Sequence, residues 1–419
     1  MTRNVYTFIL YLLLPFTPFK LLWRARKQPE YLQHWQERYG FYKLQLQKPV
    51  IWLHCVSVGE TRAAEPLIKA LLQQYPEHQI LLTHTTPTGR ATGDQLFGNK
   101  VARVYLPYDV PFAVNRFLQH FKPTIGVLME TELWFNLIDS CKQHKVPLLL
   151  VNARLSEKSA QGYGKLGAVV RQGLHGLSAI AAQTAQDAER LQMLGANNVS
   201  IIGNLKFDVA PHDDAMTKGQ LLRDTLGKQR PVFLAASTRD GEEAMILDAV
   251  ARANIPNLLT IIVPRHPQRF DEVAELLKKH EVNFIRRSSL TNESPEQKHV
   301  TYLMGDSMGE MFTYYASCDV AFIGGSLLPL GGQNLIEACS MGKPVLIGPY
   351  TFNFEQATEM AIAARAAERV QDSIDLAHHL QNLFADSAKR QAMSAAALNF
   401  SEESRGATQR TLDLLKQYL

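Results

Sequence analysis

From residue 50 onward, short continuous apolar runs alternate with amphipathic stretches, and no other feature limits the possible folds as sharply. "VIWLHCVSV", "QILLTHTT", "VARVYLP", "TIGVLME", "VPLLLVNA", "LSAIAAQT" and "VSIIGN" read as strands with helical patterns between most of them. Such runs alternating with helices predict a parallel sheet buried on both faces. A second series follows: "PVFLAAST", "LLTIIVPRH", "VNFIRRS", "VTYLMGD", "VAFIGGS" and "PVLIGP", with "GEEAMILDAVARA" and "FDEVAELLKKH" as intervening helices. The expected class is α/β, with two Rossmann-like doubly wound domains over 28–208 and 221–419 and a ligand cleft between them. Segment 209–220, polar and without periodicity, is the expected linker, and the last helix can return to the amino-terminal domain. A length of 419 residues suits two domains of ordinary size.

Composition narrows the function class. With 46% hydrophobic and 20% charged residues the chain is globular, which excludes disordered and collagen-like chains. A net charge of +4 permits an anionic partner but lacks the dense basic patches of nucleic-acid binders, so no nucleic-acid partner is expected. The four cysteines, Cys55, Cys141, Cys318 and Cys339, form no CxxC and no zinc-ligand spacing, so neither a disulfide framework nor a structural metal is expected. A reducing compartment is the simplest reading.

The amino end differs. "VYTFILYLLLPFTPF" is apolar and is followed by Lys20, Arg24, Arg26 and Lys27, an order of charge and apolar core opposite to that of a cleaved signal peptide. The run is shorter than the roughly 20 residues of a spanning helix and holds Pro15 and Pro18, so residues 1–27 are expected to form a shallow anchor. The basic residues after it would keep the following domain cytoplasmic and meet anionic head groups. A buried terminal helix of a soluble domain is the competing reading.

Residues able to do chemistry cluster just after strands. Glu60 follows "SVG" and precedes an amphipathic helix, and Gly59 would let the backbone turn tightly. Its carboxylate either points into the cleft or caps the helix, and both readings stand at this stage. In "METELWFN", Glu130 and Glu132 would face opposite ways if extended, leaving one for the cleft. "VNARLSEKS" adds Asn152, Arg154 and Ser156, and "GNLKFD" adds Lys206. In the second half, Ser237 and Thr238 near a helix start, Arg265 and His266 between prolines, and Ser307 between Gly305 and Gly309 suit an anion. "FIGGSLLPLGGQNLIEACSMGKPVLIGP" puts Gly331 and Gly332 ahead of a helix carrying Asn334 and Glu337, a phosphate cradle with an acceptor for ribose hydroxyls. No GxxxxGK[ST] loop is present, which argues against an ATPase.

"SVGE", "METELW", "NARLS" and "KFD", followed by "STRDGEE", "VPRHP", "GDSMGE" and "GGSLLPLGGQNLIEA", closely resemble the 3-deoxy-D-manno-octulosonic acid (Kdo) transferases of lipopolysaccharide assembly over nearly the whole chain. The resemblance implies the GT-B fold, a CMP-Kdo donor, a lipid IVA acceptor, inversion at the anomeric centre, and neither metal nor other cofactor. It places the enzyme at the inner (cytoplasmic) membrane with its catalytic domains on the cytoplasmic side. It further implies that Glu60 is the general base, that Glu130 and Lys206 support the transition state, and that Arg265, His266, Ser307, Met308, Gly309, Glu310, Asn334, Leu335, Ile336 and Glu337 bind CMP. The chain departs from the common pattern at Arg239, where histidine is usual, at Phe135, where proline is usual, and in "GGQNLIEA". Competing readings are another GT-B enzyme, such as a nucleotide-sugar epimerase or lipid A disaccharide synthase, and a membrane-tethered nucleotide-sugar binder without turnover.

Overall fold

The structure, a computed structural model, describes every residue except 210, 212, 291–296 and 298. The chain divides into two compact units, Met1–Asp208 with Ser404–Leu419, and Val209–Glu403.

The first unit is built on β1 (Val50–His54), β2 (Gln79–His84), β3 (Ala102–Tyr105), β4 (Pro123–Met129), β5 (Leu148–Ala153), β6 (Ala179–Ala182) and β7 (Val199–Ile201). All pair in parallel in the order β3-β2-β1-β4-β5-β6-β7. Both faces are covered, so the strands can be apolar throughout. Trp52 packs into the cluster on one face, with Phe117 and Leu150, while Ile51 and Leu53 pack into the other with Leu67 and Ile68. Gly126 is required where it stands, because a Cβ there would meet the Trp52 ring at 2.7 Å.

The second unit repeats the plan with β8 (Val232–Thr238), β9 (Leu259–Pro264), β10 (Phe284–Arg286), β11 (Tyr302–Met304), β12 (Val320–Ile323), β13 (Val345–Ile347) and β14 (Ala367–Arg369). Their order is β10-β11-β9-β8-β12-β13-β14, again parallel. The first sheet reverses its order between β1 and β4, and the second between β8 and β12, with β10 and β11 also exchanged at its edge. Ligands of doubly wound sheets bind beyond the carboxyl ends of the strands at such a reversal.

Two expectations need correction. Segment 215–220, expected as linker, is the first half of a helix over Ala215–Leu226, whose buried residues Ala215, Gly219, Leu222 and Leu226 do recur at helical spacing; positions 210 and 212 lie outside the described residues. The apolar amino end is also longer than expected. Helix Arg3–Leu13, a single 3-10 turn and helix Thr17–Ala25 make one helical run of 23 residues, long and apolar enough by composition to cross a membrane. Pro15 and Pro18 do not stop it because each sits in a first turn, where the missing N–H is not needed. Only Leu21 of this run is buried, which also sets aside a buried terminal helix.

Candidate active site

In the first unit, β1 leads through Cys55 and Val56 to Ser57, the N-cap of a short helix over Val58–Ala63. The helix therefore begins before Glu60, not after it. The Ser57 hydroxyl oxygen accepts the Glu60 N–H at 3.4 Å, the Ser57 hydroxyl donates to Glu60 Oε1 at 2.9 Å, and the Val56 N–H donates to Oε2 at 2.7 Å. "SVGE" is thus a capping box, serine and glutamate three apart satisfying one another. Gly59 lies inside the helix without a left-handed φ, and a Cβ there would meet only Ser57 Oγ at 3.8 Å, so the turn is made by Ser57.

Capping does not exhaust Glu60. Its carboxyl is nine-tenths buried and pushed up to about 7, first by burial and then by the charges of Glu130 and Glu132, against the opposing pull of the Val56 N–H and Ser57 hydroxyl. A carboxyl near 7 is matched to taking a proton at neutral pH. Two buried histidines back the loop: His84 Nδ1 lies 2.9 Å from the Cys55 carbonyl oxygen, and His54 Nδ1 lies 2.9 Å from Thr83 Oγ1. Burial depresses them to about 4 and about 3, so both are neutral supports. Nothing in the reading of "LHC" or "LTH" singled them out.

Glu130 follows β4 across the sheet reversal. Its φ is +57°, a left-handed conformation uncommon outside glycine. Its N–H donates to Val151 O at 3.0 Å. The chain turns at this residue, so the strand alternation expected to separate Glu130 from Glu132 ends here. Burial, reinforced by the Glu130 charge, also raises Glu132.

Glu130 Oε1 stands 3.5 Å from Lys206 Nζ. Lys206 rides on a 3-10 turn over Leu205–Phe207, which is held from three sides. Asn152, itself at φ +54°, accepts the Leu205 N–H at 3.0 Å, Asn204 accepts the Lys206 N–H at 3.0 Å, and Asp208 accepts the N–H groups of Gly406 and Thr408. Glu60, Glu130, Glu132 and Lys206 therefore gather at the sheet reversal. Of the other residues singled out, Arg154 is exposed and Ser156 caps the helix over Glu157–Leu166.

In the second unit the reversal is closed by Glu242, which sequence reading passed over as one of a helix-opening pair. It is fully buried and accepts four backbone N–H groups: Ser326 and Leu327 on Oε1, Gly325 and Arg239 on Oε2, at 2.5 to 2.9 Å. One carboxylate thus ties the loop after β8 to the loop after β12. Thr238 is also committed, its hydroxyl donating to Glu243 at 2.7 Å, and Arg269 grips the same carboxylate at 2.6 and 3.1 Å.

Arg265 Nε donates to Gln333 Oε1 at 3.1 Å. His266 is lowered by burial and by Arg239, Arg265 and Arg269, so these three guanidinium groups share one neighbourhood. Arg269 is compensated by Glu243, Glu272 and Asp240, so Arg239 and Arg265 are the cations that bring positive charge toward an anionic ligand there. Arg239 and Arg269 had not been assigned to ligand binding. Ser307 shares a short hydrogen bond with Glu310 and lies 2.8 Å from the Tyr314 hydroxyl, while Glu310 pairs with Arg287 at 2.9 Å. Met308 is exposed, and Gly309 takes a left-handed φ of +81° beside open space.

Asn334 accepts the Ile336 N–H at 3.0 Å and donates to Glu337 Oε1 at 3.2 Å. Leu335 and Ile336 are fully buried, backbone included, and the Leu335 carbonyl accepts the Cys339 N–H at 3.0 Å, so these two residues shape the turn from behind. The expected phosphate cradle is corrected here. The helix begins at Ile336, and the N–H groups of Gly332 and Gln333 already donate to Gly325 and Gly324 at 2.6 and 3.1 Å. The paired glycines fold the one loop after β12 back onto itself. Gly331 could carry no side chain, since a Cβ would meet Asn353 at 2.2 Å. Among the described residues no three His, Cys, Asp or Glu side chains group as a metal site.

Comparison with known proteins agrees with this geometry. The sequence profile of the family described as 3-deoxy-D-manno-octulosonic-acid transferase (kdotransferase) matches residues 33–209. A 3-deoxy-D-manno-octulosonic acid transferase of Bordetella pertussis is 44% identical over 436 residues, covering 100% of each chain. That of Haemophilus influenzae is 41% identical, covering 94% of this chain and 93% of its own. A solved glycosyltransferase of Rickettsia africae superposes with a TM-score of 0.58 at 13% identity, covering 89% of this chain and 99% of its own, a likeness in the two-domain GT-B fold alone. Full-length identity at this level, with the carboxylates and cations gathered at the sheet reversals, leads to one conclusion: this chain belongs to the 3-deoxy-D-manno-octulosonic acid transferases of lipopolysaccharide biosynthesis.

Proposed function

We propose that this Kdo transferase moves Kdo from CMP-Kdo to a hydroxyl of lipid IVA at the cytoplasmic side of the inner membrane, with inversion at the anomeric centre and without a metal. The first unit activates the acceptor and the second holds the nucleotide. The acceptor oxygen bonds to C2 of Kdo as the C2–O bond to phosphate breaks; the acceptor proton passes to Glu60, and CMP leaves carrying the bonding pair. A sugar hydroxyl is too weak an acid to ionise by itself at neutral pH, hence the need for a base. The observation that supports this most is the Glu60 carboxyl near 7, held at a sheet reversal by Val56 and Ser57.

Lys206 and Glu130 assist as a pair, the ammonium facing charge that develops as the phosphate departs. Arg265 and His266, with Arg239 beside them, meet the nucleotide phosphate. Ser307, Met308, Gly309 and Glu310 supply a turn against the nucleotide, and Asn334 and Glu337 supply side-chain acceptors for the ribose, positioned by the buried Leu335 and Ile336.

The test is transfer from CMP-Kdo to lipid IVA by purified protein, with products weighed by mass spectrometry, wild type beside Glu60→Gln and each with and without EDTA. The expected result is a product heavier by whole Kdo units for wild type, unchanged by EDTA, and none for Glu60→Gln despite retained CMP binding. Transfer by Glu60→Gln at the wild-type rate would reduce Glu60 to a cap, and loss of wild-type transfer in EDTA would overturn the metal-free mechanism.

A further inference from the structure

The amino-terminal helical run is long enough to cross a bilayer: its 23 residues measure about 34 Å at 1.5 Å per residue, against a hydrocarbon core of about 30 Å. Length does not decide its orientation; its contacts do. A spanning helix needs lipid or another membrane helix on all sides, whereas this one has a stripe facing its own domain from end to end.

Leu21 is buried and Arg3, Tyr6, Thr7, Leu10, Leu14, Thr17 and Ala25 are half-buried, a stripe along one side of the run. At the start of the run, Arg3 pairs with Asp139, the Tyr6 hydroxyl donates to buried Asp109 at 2.8 Å, and the Thr7 hydroxyl donates to Asn136 at 2.7 Å. The Met1 carbonyl accepts the Val169 N–H at 3.0 Å. Midway, the Tyr11 ring stacks on Phe112 with centroids 6.3 Å apart. Further on, Thr17 Oγ1 lies 2.7 Å from the Tyr39 hydroxyl, and the Arg24 guanidinium lies over the Tyr31 ring at 5.4 Å. Both ends are pinned to the same unit, so the helix lies along that unit.

The other stripe carries Phe8, Leu12, Phe16, Phe19 and Trp23, all more than half exposed. Lys20, Arg24, Arg26 and Lys27 stand exposed at its end. An apolar row at helical spacing beside clustered cations is the pattern of a helix in the plane of an anionic lipid surface, apolar side in the acyl boundary and cations among the head groups.

We infer that this helix is an in-plane anchor that lies on one leaflet of the bilayer and does not span it, its inner stripe bonded to the first unit and its outer stripe in lipid. The inference rests on the membrane association proposed above and adds its geometry. An in-plane anchor holds the first unit directly against the leaflet, whereas a spanning helix would have to release Asp139, Asp109 and Asn136 to carry residues 3 to 7 to the far side.

The four native cysteines are buried, so one introduced thiol reports alone. Thr2→Cys places it at an exposed position just before the first pinned residues, and Gln28→Cys places a second, in a separate protein, just after the run. Each full-length variant is expressed in cells, and a membrane-impermeant maleimide is applied to intact spheroplasts and to inverted inner-membrane vesicles. The in-plane anchor gives labelling of both positions in inverted vesicles and of neither in spheroplasts. Labelling of position 2 from the spheroplast side, with position 28 labelled only in inverted vesicles, is the spanning result and overturns the inference while leaving membrane association intact. Protection of position 2 from both sides until detergent is added also overturns it. Recovery of the protein in the soluble fraction overturns membrane association itself, and the inference with it.

Discussion

The carboxyl of Glu60 carries two signs that can be read separately. In the proposed mechanism Glu60 acts as an ionised base, so the rate should fall about tenfold per pH unit below about 7 and level off above it. Glu60→Gln should lower kcat by about 10²–10⁴-fold. Neighbours should move the midpoint in opposite directions. Glu130 raises the Glu60 pKa, so Glu130→Gln should shift the profile to lower pH; the Ser57 hydroxyl lowers it, so Ser57→Ala should shift the profile to higher pH. The pH dependence of kcat checks both, and equal midpoints in all three proteins would refute the assignment. Stability follows the opposite sense to activity. A carboxyl raised in the folded state binds its proton more tightly there than in the unfolded chain. Stability from Glu60 is therefore lost as pH rises from its ordinary 4.5 towards 7. Thermal unfolding of Glu60→Gln should accordingly gain on wild type across that window and run parallel to it above. Glu60 was legible in the sequence because a lone carboxylate after an apolar strand is conspicuous. A capping role for Glu60 was read as well, but the helix start was placed after it and the part of Ser57 as N-cap was missed. The left-handed Glu130 and the neutral His54 and His84 were not legible, since burial and φ depend on which strands become neighbours.

At the scale of elements, loop-to-loop ties decide where the site residues stand. Glu242 holds four backbone N–H groups from two loops, and Glu242→Ala would leave them without their acceptor. A loss of about 3–5 kcal/mol in urea unfolding is expected, with CMP binding weakened in what still folds. Sequence periodicity predicts the strands and their parallel pairing well because both sheets are buried on two faces, so each strand has to be apolar throughout. It predicts loops poorly. The glycine pair at 331 and 332 looks like a phosphate cradle by composition, yet the N–H groups of Gly332 and Gln333 donate to Gly325 and Gly324 in a fold-back of the same loop that composition does not reveal. The linker shows the same weakness in reverse, since weakly apolar Ala215 and Gly219 hide a helix that forms by packing.

For the whole molecule, the second unit is inserted within the first. The chain leaves the first unit after Asp208 and re-enters it at Ser404, and Asp208 accepts the N–H groups of Gly406 and Thr408, which ties the departing segment to the returning one. Helix Ala407–Leu415 then places Ala407, Leu412 and Leu415 in the core beside Leu67 and Leu71. Leu412→Ala and Leu415→Ala should each cost about 2–5 kcal/mol in thermal or urea unfolding. Ending the chain after residue 403 should remove the whole helix and leave the first unit insoluble, measured as the soluble fraction on expression.

This nesting orders events on the ribosome. The first unit is translated first but cannot close its core until its last helix emerges, so it must wait, incomplete, while the entire second unit is made and can fold. A pause late in translation would leave the first unit open and exposed to proteases, with the second already finished.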